Sequence, residues 1–342
     1  MGKPRILLIY TGGTIGMRRD LSGTLVPFDF SSLDDEFPSV RKLNIDIEVL
    51  TMAPIDSSNV TPARWVELAV IIKENYQSFD GFVVLHGTDT MSYTASAMSF
   101  MLENLSKPVI FTGAQIPMGI LRTDGRENLI TALEIASSRR EDGSPSVPEV
   151  ALYFQNRLFR GNRTMKQSAE ELSAFESYNY PPLASVGVNI SYNYNAIAAS
   201  GRTDEPLRIA TELSGGVVVV KLFPGIGEDM LRAVLSVDGL KGVVLETFGS
   251  GNAPTTASFI SILRDAIERG IIIVNVTQCI GGTVSMSLYE TGVGLQSIGV
   301  ISGHDMTTEA AVTKLMYVLG GGRSAEESRR LLGLSIKGEF TA

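Results

Sequence analysis

R-I-L-L-I-Y-T-G-G-T-I-G, Arg5 to Gly16, opens the chain with an apolar run that stops at a threonine and two glycines. Ile6 to Tyr10 is a run of only five apolar residues. That is the length of a strand buried on both faces and too short for a signal-peptide core or a membrane span. Comparable Val- and Ile-rich runs recur at Ile45–Leu50, Gly81–Leu85, Pro108–Phe111, Glu149–Phe154, Val217–Leu222, Gly242–Leu245 and Ile271–Val276. Between them, apolar residues fall at helical spacing. Met91, Ala95, Met98, Leu102 and Leu105 form one stripe, and Leu129, Leu133 and Ala136 a second. Phe259, Leu263, Ala266 and Ile267 form a third, and Val312, Leu315, Met316 and Leu319 a fourth. Such alternation predicts parallel strands joined by crossover helices on both faces.

The fold class expected is therefore α/β, with a larger N-terminal domain built on a parallel, Rossmann-like sheet and a smaller α/β C-terminal domain. A length of 342 residues fits about two domains. Tyr192 to Leu213 is polar and lacks long apolar periodicity. This predicts a linker over 193–213 between domains at 1–192 and 214–342. Hydrophobic residues make up 44% of the chain, enough for a sizeable core. The net charge of −8, with no basic run, argues against nucleic acid or an anionic membrane as partner.

Cys279 is the sole cysteine, so no intrachain disulfide can form, which fits a reducing, cytoplasmic setting. His86 and His304 are the only histidines; a zinc site built mainly of His and Cys would use every such residue, and no H-E-x-x-H occurs, so no metal is expected. Neither a G-x-S-x-G elbow nor a G-x-x-x-x-G-K-[ST] loop is present.

In open parallel sheets ligands bind at the carboxyl ends of strands. The segments following the first strands are Thr11–Gly16 (T-G-G-T-I-G), Ala53–Ser58 (A-P-I-D-S-S), His86–Thr90 (H-G-T-D-T) and Thr112–Pro117 (T-G-A-Q-I-P). Together they predict a hydroxyl-rich pocket with pliant backbone and a carboxylate. A dinucleotide loop would need glycine at position 11, where Thr11 stands. Taken singly, Thr88 and Asp89 also read as a helix cap, Asp56 as an Asx-turn residue, and His86 as a strand-end histidine satisfying its own hydrogen bonds. Lys166 ends the basic run Phe159–Lys166, F-R-G-N-R-T-M-K, and by composition alone is not distinguished from Arg160 or Arg163.

In combination these motifs resemble the bacterial-type L-asparaginases: Thr11–Gly16, Asp56–Ser58, His86–Thr90, R-G-N-R-T-M-K at Arg160–Lys166, G-N-A-P at Gly251–Pro254 and D-M-T at Asp305–Thr307. The cytoplasmic, type I branch is the nearest in pattern. The resemblance implies that Thr14 is a nucleophile attacking the side-chain amide of asparagine, with Thr88, Asp89 and Lys166 as the second catalytic group. It implies that Ser57 and Ser58 hold the α-carboxylate and α-amino ends of the substrate. Gly13, Gly87 and Ala114 would complete the substrate-binding set, with main-chain N–H groups of the glycine turn and of Thr88 stabilising the oxyanion. It implies L-asparagine as substrate, L-glutamine as a weak second one, no cofactor, and a homodimer or homotetramer in which Asn252 reaches a neighbouring site. Some relatives respond to substrate at a separate interface site; Thr277 and Cys279 lie at the corresponding place, but Glu246 makes that area more acidic and regulation is left open.

One departure stands out. The family carries a tyrosine after a glycine in the loop following the nucleophile, whereas here Gly23 is followed by Thr24 and Leu25, and Leu21 to Phe30 holds no tyrosine. The activator of Thr14 is thus open between the Lys166 group and another residue. Two alternatives remain. One is a catalytically weak or inactive small-molecule or nucleotide-binding regulator on the same fold. The other is an amidotransferase subunit, against which the start of Met1 close to the first strand counts.

Overall fold

In the computed structural model, which describes residues 2–19, 25–27, 40–198, 205–286 and 290–341, the opening run is a strand, β1 (Arg5–Gly12), buried from Ile6 onward. It pairs in parallel with two neighbours, β4 (Asp46–Ile55) and β5 (Gly81–Leu85). Beyond β5 the parallel order continues through β7 (Val109–Thr112) to β8 (Val150–Phe154). Ile6, Leu8 and Tyr10 point to one face, where Leu129, Ala132, Leu133 and Ala136 of the helix Gly125–Ser137 cover them. Leu7 and Ile9 point to the other and are equally buried. This two-sided burial is why the strand reads as an unbroken apolar run.

The chain divides into two compact units at Ile209/Ala210. The first unit's sheet, among the described residues, is ordered β13-β12-β9-β8-β7-β5-β1-β4, where β9 is Arg157–Arg160, β12 Ala184–Val186 and β13 Ile190–Tyr192. The sheet is mainly parallel, as expected, and its edge strands β9, β12 and β13 are antiparallel to their neighbours. The cause is local. Gln155 and Asn156 sit at φ 43° and 70°, a two-residue turn pairing Phe154 with Arg157, so β8 returns as a hairpin. Shorter pairs are β2 (Met17–Arg19) with β3 (Leu25–Pro27), β6 (Leu102–Glu103) with β14 (Arg208–Ile209), and β10 (Met165–Lys166) with β11 (Phe175–Glu176). The helix expected to run to Leu105 stops at Met101, because Leu102 leaves helical geometry and pairs with Ile209.

The second unit holds a parallel sheet in the order β15 (Val217–Lys221), β16 (Gly242–Thr247), β17 (Ile272–Thr277) and β18 (Ile301–Ser302). Helices Glu228–Leu235, Ala257–Glu268, Glu290–Ser297, Thr308–Leu319 and Ala325–Leu332 alternate with and follow these strands. Its core gathers Val243, Leu245 and Ile273 with Phe259, Leu263 and Ala266. On the helix Thr308–Leu319, Lys314 pairs with Glu339 at 2.6 Å, both side chains fully enclosed. No helix among the described residues is long and apolar enough to cross a membrane.

Candidate active site

Parallel pairing brings the carboxyl ends of β1, β4, β5 and β7 to one edge of the first unit's sheet, and a pair of glycines lets the loops there touch. Gly13 is at φ 89°, and a Cβ on it would lie 2.4 Å from the Cα of Gly87. A Cβ on Gly87 would lie 2.6 Å from the Ser57 hydroxyl. Main chain therefore meets main chain where any side chain would wedge the loops apart. Thr14 begins the short turn Thr14–Gly16, closed by Gly16 N donating to Gly13 O at 3.1 Å. Beneath that turn the Tyr10 phenol donates to Gly16 O at 3.4 Å, and burial pushes its pKa up, keeping it a donor.

The D-S-S segment is built as an Asx turn. Asp56 Oδ1 accepts from Ser58 N at 2.8 Å and from Ser58 Oγ at 2.7 Å, which holds its carboxyl below the ordinary range. Thr90 Oγ1 donates to Ser57 O at 2.7 Å and ties this segment to H-G-T-D-T. His86 lies buried behind the loop with Nε2 3.0 Å from Thr94 Oγ1 and Nδ1 2.7 Å from Gly87 O. Trp65 Nε1 donates to the same Thr94 oxygen at 3.0 Å. Burial lowers the imidazole pKa to about 4, so the ring is neutral near pH 7 and structural, as the sequence suggests.

Lys166, Arg160 and Arg163 are separated by their surroundings. Arg160 is buried against Glu149 at 2.6 Å and donates to Ala196 O, while the Arg163 guanidinium lies over the Tyr180 ring. Lys166 instead donates to Thr88 Oγ1 at 2.9 Å and Asp89 Oδ1 at 2.7 Å. Thr88 Oγ1 in turn donates to Gln115 Oε1 at 3.0 Å. Gln115 Nε2 donates to the carbonyls of Ala169 and Glu171, at 3.3 and 3.2 Å.

A cavity of about 440 Å³ opens here, within the range of small-molecule sites. Gly13, Thr14, Ser57, Gly87, Thr88, Asp89 and Lys166 line it, so seven of the sequence-derived residues share one wall. Tyr10, Asp56 and Gln115 line it as well. Ser58 is not on that wall; its side chain is bound to Asp56. Ala114 is also off it, with a side chain packed into the sheet core, which leaves only its main chain for a ligand. Asn252 belongs to the second unit, where its main chain pairs with Phe248 in a tight turn. Gln115 is the residue the motif reading passed over. T-G-A-Q displays it, but only the carbonyls after Lys166 reveal what it holds. Gly23, Thr24 and residues 28–30 of the tyrosine-free loop lie outside the described residues. Among the described residues no three His, Cys, Asp or Glu side chains converge as a metal site requires.

Comparison with known proteins matches residues 5–198 to the family model described as "Asparaginase, N-terminal", and residues 216–332 to the "Glutaminase/Asparaginase C-terminal domain". The chain belongs to the asparaginase family. Within that family, L-asparaginase 1 of Escherichia coli (strain K12) is 43% identical over 346 residues, covering 100% of this chain and 99% of that protein. The 60 kDa lysophospholipase of Mus musculus is 44% identical over 363 residues and covers 98% of this chain, which spans only 62% of the mouse protein's length. The crystal structure of L-asparaginase I from Vibrio cholerae superposes with a TM-score of 0.89 at 40% identity, covering 100% of both chains.

Proposed function

We propose that this chain hydrolyses the side-chain amide of L-asparagine to L-aspartate and ammonia through an acyl-enzyme on Thr14. The observation that carries the reading is the Lys166–Thr88–Asp89 group, hydrogen-bonded at 2.9 and 2.7 Å, on the wall of the cavity that Thr14 also lines. Thr14 Oγ attacks the carboxamide carbon and its proton passes to the leaving nitrogen, which departs as ammonia. Water then attacks the ester, releasing aspartate and restoring the hydroxyl. The Lys166 ammonium lowers the barrier for proton movement through Thr88, and the Asp89 carboxylate orients it and faces the substrate ammonium. Ser57, Gly13 and Gly87 bound the substrate, with Ser58 and the Ala114 main chain behind them. Donors from the glycine turn and Thr88 N stabilise the oxyanion, an effect worth about 3–4 kcal/mol per donor in other enzymes.

Supporting the substrate class are the names of the relatives: the E. coli and Vibrio proteins are L-asparaginases. We also infer a cytoplasmic homodimer or homotetramer in which Asn252 completes a neighbour's site, with glutamine a weaker substrate. A coupled ammonia assay with asparagine and glutamine tests the activity. Thr14→Ala is expected to abolish nearly all turnover, and retained wild-type rates would end the nucleophile assignment. A second reading, a binding regulator without chemistry, is favoured by the tyrosine-free stretch Leu21 to Phe30. It would show stabilisation by nucleotide alone and no ammonia.

A further inference from the structure

We infer that Gln115 is a positioning residue for this reaction, fixing which way the Thr88 hydroxyl presents its proton and its lone pairs. The inference rests on the reading of Lys166, Thr88 and Asp89 as catalytic groups. The chemistry of the partners leaves a single arrangement. The carbonyls of Ala169 and Glu171 can only accept, so the Gln115 amide nitrogen faces them and Oε1 faces Thr88. The Lys166 ammonium, paired with the Asp89 carboxylate, can only donate, so Thr88 Oγ1 accepts from it. The Thr88 hydrogen therefore goes to Gln115 Oε1. A hydroxyl oxygen has two lone pairs. One takes the Lys166 N–H, and the other is left for the cavity that both Thr88 and Gln115 line. Thr88 thus meets a bound ligand as an acceptor, not as a donor.

Gln115 is itself anchored. Its main-chain N donates to Asp124 Oδ2 at 3.0 Å, and Ile116 N donates to Asp124 Oδ1 at 3.0 Å. Buried Asp124 also accepts from Asn128 Nδ2 at the start of the helix Gly125–Ser137. One amide therefore carries the rigidity of a helix start to the orientation of a single hydroxyl.

Two variants test this. Gln115→Met keeps the length and removes every side-chain hydrogen bond, whereas Gln115→Glu keeps an acceptor toward Thr88 in either protonation state. The expected result is a kcat for asparagine lowered about 10- to 100-fold in Gln115→Met, with KM changed less than about threefold. Gln115→Glu should fall between Gln115→Met and wild type, and thermal melting should stay within a few degrees for both. Should Gln115→Met fold poorly, Gln115→Asn, whose amide is too short to span Thr88 and the two carbonyls, is expected to lose kcat in the same way. A kcat within twofold of wild type, a loss confined to KM, or equal losses in the Met and Glu variants would overturn the inference. Wild-type protein that releases no ammonia would overturn the functional reading and this inference together, whereas an active wild type with an unaffected Gln115→Met overturns this inference alone.

Discussion

Two lysine–carboxylate pairs, one in each unit, have nearly the same length and opposite surroundings. Lys166 and Asp89 lie 2.7 Å apart on a cavity wall, and the Asp89 side chain is 64% exposed. Lys314 and Glu339 lie 2.6 Å apart with no exposure at all. Lys314 also donates to the carbonyls of Leu332 and Leu334, and Glu339 accepts from the main-chain N–H groups of Ile336 and Lys337. Burial pulls the Lys314 pKa down while Glu339 pulls it back up, and the pair serves to clasp the C-terminal segment. The same contrast runs through the strand ends. In the second unit Thr247 donates to Asn275, Asn275 to Gly251 O, Gln278 to Leu222 O and Thr308 to Glu246. Thr277 there donates to Gly249 O and accepts from Cys279 N. Polar strand ends thus occur in both units. In the first, Thr88, Asp89 and Gln115 bond to Lys166 or to one another and at the same time line the cavity that Thr14 also lines.

The largest effect that would break this comparison is on turnover. Lys166→Met should lower kcat by about 10²- to 10⁴-fold, with the denaturation midpoint nearly unchanged. An active Lys166→Met enzyme would make the two pairs equivalent. Lys314→Met should do the reverse: about 3–5 kcal/mol of stability lost in urea titrations, because Glu339 is left charged and enclosed, with kcat per folded molecule retained. Adding Glu339→Gln to that variant should recover part of the loss.

His86 sharpens the comparison through pH. Its imidazole titrates near 4 when folded against an ordinary 6.5. The unfolded chain therefore takes up a proton first as pH falls, and stability present above 6.5 is lost progressively toward 4, by up to about 3 kcal/mol. Denaturant titrations at pH 7 and 4.5 should show that slope, and His86→Gln should flatten it. The smallest expected effect is at the pair between exposed Arg208 and half-buried Glu103, 3.5 Å apart between β14 and β6. Arg208→Ala should change stability by less than about 0.5 kcal/mol in the same titration.

The central strands are legible in the chain because both faces are covered, which leaves apolar runs such as Ile6–Tyr10 and Gly81–Leu85 with no polar alternation to blur them. The loops that follow are legible because parallel pairing forces them to one edge. The hairpin at Gln155–Asn156 is not, since neither residue is a glycine and the turn depends on two left-handed backbones. The helix Thr308–Leu319 has its apolar stripe at Val312, Leu315, Met316 and Leu319, yet the structure fully encloses Lys314, which its distant partners Glu339 and the Leu332 and Leu334 carbonyls permit. At the site, types and order were readable, but not which hydroxyl faces the cavity. Ser57 and Ser58 are neighbours of identical chemistry, and only the Asx turn at Asp56 sorts them.

The contact between Gly13 and Gly87 has a consequence for how such a pocket can be retuned. A methyl group at either position would have to pry two loops apart at their tightest point, displacing Thr14 and Thr88 from each other. Natural drift and laboratory redesign are therefore steered outward, to exposed rim positions such as Pro54 and Ala169, where a new side chain reshapes the opening without moving the hinge point of the machinery.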